Sequence, residues 1–101
     1  KRLRTVEGVD RGRLYVLLAK AHDAAKDPVA TRFALEHLAR VYPERADEPG
    51  MILLAARTSL ALGLLAETER TLERLGPSGS ALQIALELAD LQLREGQLGQ
   101  A

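Results

Sequence analysis

The spacing of apolar residues predicts helices throughout the chain, because leucine and alanine recur every three or four positions and so fall on one side of a helix. In the first helix, predicted from Arg11 to about Lys26, these residues are Leu14, Leu17, Leu18, Ala21 and Ala25. A second helix is predicted to follow Asp27 and Pro28, since aspartate is a favoured N-cap and proline fits the first helical turn. Pro43 is expected to end this helix, because proline disfavours helical geometry in the residue before it.

Two more helices are predicted after an acidic, turn-rich linker at residues 43–48. Pro49 is expected to open the third helix, which runs to about residue 62. Gly63 is expected to end it, because glycine takes the left-handed conformation of a helix C-terminus without strain. A fourth amphipathic segment covers residues 65–75.

A fifth helix is predicted after a strong turn signal at residues 76–79, Gly-Pro-Ser-Gly. Ser80 and Gln83 have the spacing of a capping box and indicate where the helix begins. Gly96 is expected to end it, leaving residues 97–101 as the opening of a sixth helix. Residues 1–10 are polar and are interpreted as a tail or the remnant of a preceding element.

Composition agrees with a small helical domain. The chain has 101 residues, of which 47% are apolar and 28% charged, which is ordinary for a folded protein and argues against disorder. Only three residues are aromatic, so the core must be built mainly from leucine and alanine, which are strong helix formers. The absence of cysteine excludes disulfides and thiolate metal sites.

Charge and hydropathy narrow the range of partners. The formal net charge is zero, whereas a nucleic-acid-binding domain usually carries a basic excess, so no nucleic acid is expected. No apolar run approaches the roughly 20 residues of a membrane span, so membrane insertion is not expected. The compartment stays undetermined, with the cytoplasm slightly favoured and the periplasm open. The excess of arginine over lysine, with many alanines and leucines, favours a bacterial origin.

A repeat is visible in the two glycines predicted to end helices, since Gly63 and Gly96 are 33 positions apart (96 − 63). A helix–turn–helix unit of about 34 residues is the period of tetratricopeptide repeats. That family places a small residue midway along the first helix of each unit, matched here by Ala19, Ala56 and Ala89. It places another early in the second helix, matched by Thr31, Thr68 and Ala101. In these features the chain resembles a tetratricopeptide-like domain.

The resemblance implies an all-α fold, a right-handed α-solenoid of antiparallel helix pairs with about two and a half repeats. It divides residues 11–101 into repeats at 11–45 and 46–79 and a partial repeat at 80–101. The chain departs from the family in having only one of the expected aromatic residues, Tyr15, and in having Lys26 where the turn glycine belongs. Another solenoid of helix pairs and an irregular helical bundle remain as alternative folds.

In this family the first helices of successive units line a concave groove. The resemblance places nine residues there: Val16, Lys20, Asp23, Leu53, Arg57, Leu60, Leu86, Asp90 and Leu93. The recurrence of apolar and charged residues predicts a groove for a peptide or amphipathic helix, with Lys20 and Arg57 pairing to its charges. The alternative is that the leucines only pack and the charges are only solvated. Chaperone tails are not expected as partners, because the chain has no asparagine for the family's carboxylate clamp.

The predicted function is therefore a non-catalytic scaffold or adaptor that binds a protein or peptide. His22 and His37 are the only imidazoles and lie on different helices, so no catalytic residue, metal site or cofactor is expected. One alternative is self-association, because the helix at residues 80–95 is apolar nearly all round, which suggests either a continuing array or a homo-oligomer. Another alternative is a recruiting or regulatory segment of a larger enzyme.

Overall fold

The computed structural model describes the backbone of residues 11–100 and the side chains of residues 11–96. This part of the chain is helical and contains no strand. Six helices follow one another: α1 Arg11–Ala24, α2 Pro28–Val41, α3 Pro43–Ala46, α4 Pro49–Ala61, α5 Leu65–Leu75 and α6 Gly79–Gln100. The all-α prediction is confirmed. The predicted tail at residues 1–10 and the match to Ala101 lie outside the described residues.

Local sequence signals set the starts of α2 and α4 and the end of α2 as predicted. Asp27 caps α2, since its Oδ1 accepts a hydrogen bond of 3.0 Å from the backbone N–H of Ala30. Pro28 and Pro49 lie in the first turns of α2 and α4. Tyr42 breaks the helical geometry before Pro43, with φ −131° and ψ 62°.

Three sequence predictions about helix boundaries were wrong. The linker at residues 43–48 contains the one-turn helix α3. The capping residue of α6 is Ser78 rather than Ser80, because the Ser78 Oγ accepts a hydrogen bond of 3.1 Å from the N–H of Ala81. Gly96 does not end α6, which continues to Gln100. A glycine inside a helix costs only about 1 kcal/mol, so it permits a stop without imposing one.

The helices pack as neighbours in series. Helix α1 lies along α2, and α4 lies along α5. Helix α2 also contacts α4, and α5 contacts α6, so the two pairs and α6 form one continuous packing. Helix α4 contacts both α1 and α6, whereas α1 and α6 make no direct contact within the described part of the chain. Helix α4 is therefore the central element of this row.

The core lies where α1, α2 and α4 meet. Its buried residues are Ala19, Ala34, Leu38, Met51 and Leu54, and the partly buried Tyr15, Val16, Leu35, Tyr42 and Ala46 pack around them. Four of the small residues matched to the repeat, Ala19, Thr31, Ala56 and Thr68, are fully buried, whereas a fifth, Ala89, is exposed. A larger side chain at the four buried positions would hold neighbouring helices apart.

The burial pattern of α4 recurs in α6, shifted by 30 residues. Met51, Leu54 and Thr58 are buried, and so are the residues 30 positions later, Ala81, Ile84 and Leu88. The starts of the two helices, at residues 49 and 79, are also 30 apart. The 33-residue spacing of the glycines therefore misaligns α6 by three residues, because Gly96 is not a helix end.

The turns after α1 and α4 have the same conformation although their sequences differ. Lys26 has φ 60° and Gly63 has φ 76°, both in the left-handed region. The same two hydrogen bonds close each turn. The N–H of Asp27 donates to the carbonyl of His22 and that of Lys26 to Asp23, and the N–H groups of Leu64 and Gly63 donate in the same way to Ser59 and Leu60. This is the Schellman motif, in which glycine is the favoured residue.

Replacing Lys26 by glycine is therefore expected to stabilise the protein, by up to about 1 kcal/mol. The left-handed conformation strains lysine but not glycine, and this gain exceeds the extra entropy that glycine loses on folding. The matched variant is Gly63→Ala, which should destabilise by about 1 kcal/mol through the backbone alone, since an added Cβ would meet nothing within 4 Å. Urea unfolding followed by circular dichroism measures both changes. Equal stability of Lys26→Gly and the parent chain would contradict the expectation.

Candidate functional site

A cleft of about 480 Å³ opens between α1, α4 and α6. It is lined by Asp23, Arg57, Leu60, Ala61, Glu87, Asp90 and Leu91. Four of the nine residues predicted for the groove meet there, namely Asp23, Arg57, Leu60 and Asp90. The structure thus brings one predicted residue from α1, two from α4 and one from α6 to a single surface.

Helix periodicity explains which side chains α4 and α6 present to the cleft. Arg57, Leu60 and Ala61 are spaced i, i+3 and i+4, so they share one face of α4. On α6, the residues 30 positions later repeat this spacing, as Glu87, Asp90 and Leu91. Each helix therefore contributes apolar surface together with one or two charged groups.

Arg57 is already paired within the protein. Its Nη2 lies 2.7 Å from Oδ2 of Asp23, which joins α4 to α1. Both side chains are about half exposed, so the pair adds at most about 1 kcal/mol to stability. The pair nevertheless occupies the guanidinium that, from the sequence, is expected to bind an acidic group of a partner.

The charge of the cleft is acidic on balance. Three carboxylates line it, from Asp23, Glu87 and Asp90, against the single guanidinium of Arg57. Asp90 forms an ion pair of 2.9 Å with Arg94 on the next turn of α6. Among the described side chains, Glu87 has no cationic partner. The acidic side of the cleft therefore lies on α6, and Glu87 is its most available carboxylate.

Three other predicted residues do not line this cleft. Val16 packs against the core, so its main role is structural. Lys20 is exposed on α1 and makes no ion pair within the described residues. Leu53 lines a smaller adjacent cleft of about 280 Å³, together with Arg57 and Glu87.

The prediction placed Leu86 and Leu93 in the groove, but they lie on a different face of α6. Leu86 is 72% exposed and Leu93 is 63% exposed. Because each helical residue turns by 100°, Leu86 points about 100° away from Glu87. The error comes from the glycine-based alignment. An alignment by helix starts, which are 30 residues apart, would have selected Gln83, Glu87 and Asp90. Leu91 corresponds to Ala61, and neither was predicted for the groove.

A further cleft, of about 260 Å³, lies between α2, α4 and α5. Charged side chains that line it form ion pairs with one another. Arg32 donates hydrogen bonds to both carboxylate oxygens of Glu67 and also pairs with Glu36. The hydrogen bond from Arg32 holds the pKa of Glu67 below its usual value, and the same bond raises the pKa of Arg32. These groups satisfy one another, so this surface is the weaker candidate for binding.

Both histidines are partly buried. His37 and Tyr15 have ring centroids 4.3 Å apart, and Tyr15 in turn stacks on Tyr42 at 5.9 Å. His22 is half-buried. Within the described residues, no three His, Asp or Glu side chains are grouped as metal ligands. None of the described helices has the length and apolar character needed to cross a membrane.

Comparison with known proteins adds no assignment. No protein-family model matches the chain, and neither a curated protein nor a solved structure matches it significantly.

Proposed function

We propose that this chain is a non-catalytic protein-binding module built from tetratricopeptide-like helix pairs, as a short right-handed α-solenoid, and that its partner binds in the cleft between α1, α4 and α6. The order of helix contacts supports this fold, because α1, α4 and α6 touch in series while α2 and α5 lie between them in the chain. An open row of helix pairs exposes a continuous surface along the first helix of each pair, which here means α1, α4 and α6.

The observation that carries the proposal is the convergence of equivalent positions on one surface. Arg57 and Glu87 are 30 positions apart and both line the cleft, as do Leu60 and Asp90. On α1, Asp23 joins them through its ion pair with Arg57. Apolar patches flanked by charges suit a peptide whose apolar side chains provide affinity and whose charges set orientation.

Blocking the cleft tests this proposal. Peptides that bind the parent chain are first selected from a random dodecapeptide library displayed on phage. Ala61→Trp, at an exposed position that lines the cleft, should weaken their binding at least tenfold by filling it. The matched control is Ala66→Trp, an exposed alanine on α5 outside the cleft, which should leave affinity within about twofold. A library without binders, or binders insensitive to Ala61→Trp, would refute the proposal.

A second candidate function is self-association through the outer face of α6. Leu82, Leu86 and Leu93 form an apolar stripe on this face, and all are more than 60% exposed. The equivalent face of α4 is covered by α5: Ser59 on that face hydrogen-bonds Thr68 of α5 through their hydroxyls, 2.8 Å apart. A contiguous exposed apolar stripe is typical of an interaction surface.

Sedimentation over a range of concentrations tests self-association. The parent chain should form dimers or larger species that Leu86→Glu abolishes, because it places a charge in the stripe. Ile84→Glu is unsuitable as a test, since Ile84 is 4% exposed and a buried charge would unfold the helix packing. A parent chain that stays monomeric at high concentration would exclude this function.

A further inference from the structure

The charges of the cleft point to the chemistry of its partner. A partner carboxylate would have to compete with Asp23 for Arg57, because the two already form an ion pair of 2.7 Å. Such an exchange replaces one carboxylate by another and leaves Asp23 unpaired beside the newcomer. The net gain is therefore small, and an acidic partner is disfavoured.

A cation meets the opposite situation on α6. Glu87 has no cationic partner among the described side chains, and Asp90 lies one turn away on the same face. Two described basic groups lie beside these carboxylates, and each already has a partner: Arg57 of the same cleft pairs with Asp23, and Arg94 pairs with Asp90. A lysine or arginine from a partner would thus gain an ion pair with Glu87 without breaking one.

Apolar surface lies directly beside this carboxylate. Leu60 and Ala61 of α4 and Leu91 of α6 line the same cleft. A partner that carries one apolar side chain next to a basic one could therefore bury the first while the second stays at the acidic edge. Long basic side chains favour this arrangement, because their methylene stems also cover apolar surface.

We infer that the partner of this cleft is a cationic amphipathic peptide, with a lysine or arginine paired to Glu87 and an adjacent apolar side chain on Leu60, Ala61 and Leu91. This inference rests on the proposed function, since it names the chemistry of the partner in the same cleft. It reverses the expectation from the sequence that Arg57 and Lys20 would receive acidic groups.

The test uses the dodecapeptides selected on the parent chain. Their sequences should be enriched in lysine or arginine next to leucine, isoleucine or phenylalanine. Glu87→Lys should weaken their binding at least tenfold, measured by fluorescence anisotropy of labelled peptides. The matched control is Glu73→Lys, which makes the same charge change at an exposed position on α5 and should alter affinity less than twofold. Thermal unfolding of both variants confirms that they fold.

The outcomes separate this inference from the proposal on which it rests. Peptides that lose affinity with Ala61→Trp but not with Glu87→Lys would keep the cleft and overturn its cationic preference. A selection enriched in aspartate and glutamate would overturn it as well. Peptides insensitive to Ala61→Trp would refute the proposed function itself. Affinity that falls with added NaCl for the parent chain, and less steeply for Glu87→Gln, is the expected supporting result.

Discussion

Replacing Leu38 by alanine is expected to lower the free energy of unfolding by about 2–5 kcal/mol. Leu38 is fully buried in the cluster that holds α1, α2 and α4 together, where it is packed with Ala19 and Met51. The truncation removes apolar contacts and leaves a cavity that rigid neighbouring helices cannot fill completely. A domain of this size has a total stability of only about 5–15 kcal/mol, so the variant should lose much of it.

The matched control is Leu82→Ala, which is the same substitution at a side chain that is 61% exposed. Its expected cost is within about 0.5 kcal/mol. Urea unfolding monitored by circular dichroism, with equal slopes for the three proteins, gives the comparison. Similar losses for both variants would mean that the core does not lie between α1, α2 and α4.

Enlarging Ala56 to leucine is expected to destabilise the protein by about 1–3 kcal/mol. Ala56 is fully buried in the middle of α4. It lies three residues before Ser59, whose hydroxyl contacts Thr68, so both side chains face α5. The three additional carbon atoms can be accommodated only if the two helices move apart, which also disturbs the hydrogen bond between Ser59 and Thr68.

Ala89→Leu serves as the control for this prediction, since Ala89 is an exposed alanine inside α6. Leucine and alanine have similar helix propensities, so a near-zero change in stability is expected there. Thermal unfolding of both variants measures the difference. A fully tolerated Ala56→Leu would show that α4 and α5 do not require a small residue at their contact.

Much of the local structure could be predicted from the sequence, because its causes act over a few residues. Asp27 and Pro28 set the start of α2, and Gly63 sets the end of α4. Position 26 was also informative, because the tetratricopeptide pattern predicts a turn glycine there. Lys26 adopts the left-handed conformation that glycine favours. The turn is imposed by the packing of α1 on α2, which outweighs a local cost of about 1 kcal/mol.

The site was only partly predictable, because an error in one helix end displaced a whole face. Gly96 predicts an end of the fifth helix that the structure does not have, and the predicted alignment of α6 depends on this end. A shift of three residues turns a helix by 300°, so Leu86 and Leu93 were assigned to the groove in place of Gln83 and Glu87. Ser78 caps α6 and so marks the start of the helix, from which the correct alignment follows.

The sequence by itself determined the helices, because amphipathic spacing, capping residues and turn glycines act within one or two turns of chain. Only the tertiary structure decided which apolar faces are covered, since leucine is abundant on several sides of these helices. It left Leu86 exposed and buried Leu88 two positions later. It also paired Arg57 with Asp23, 34 residues away, because that contact depends on how α1 and α4 lie together. The charge available to a partner is therefore a property of helix packing.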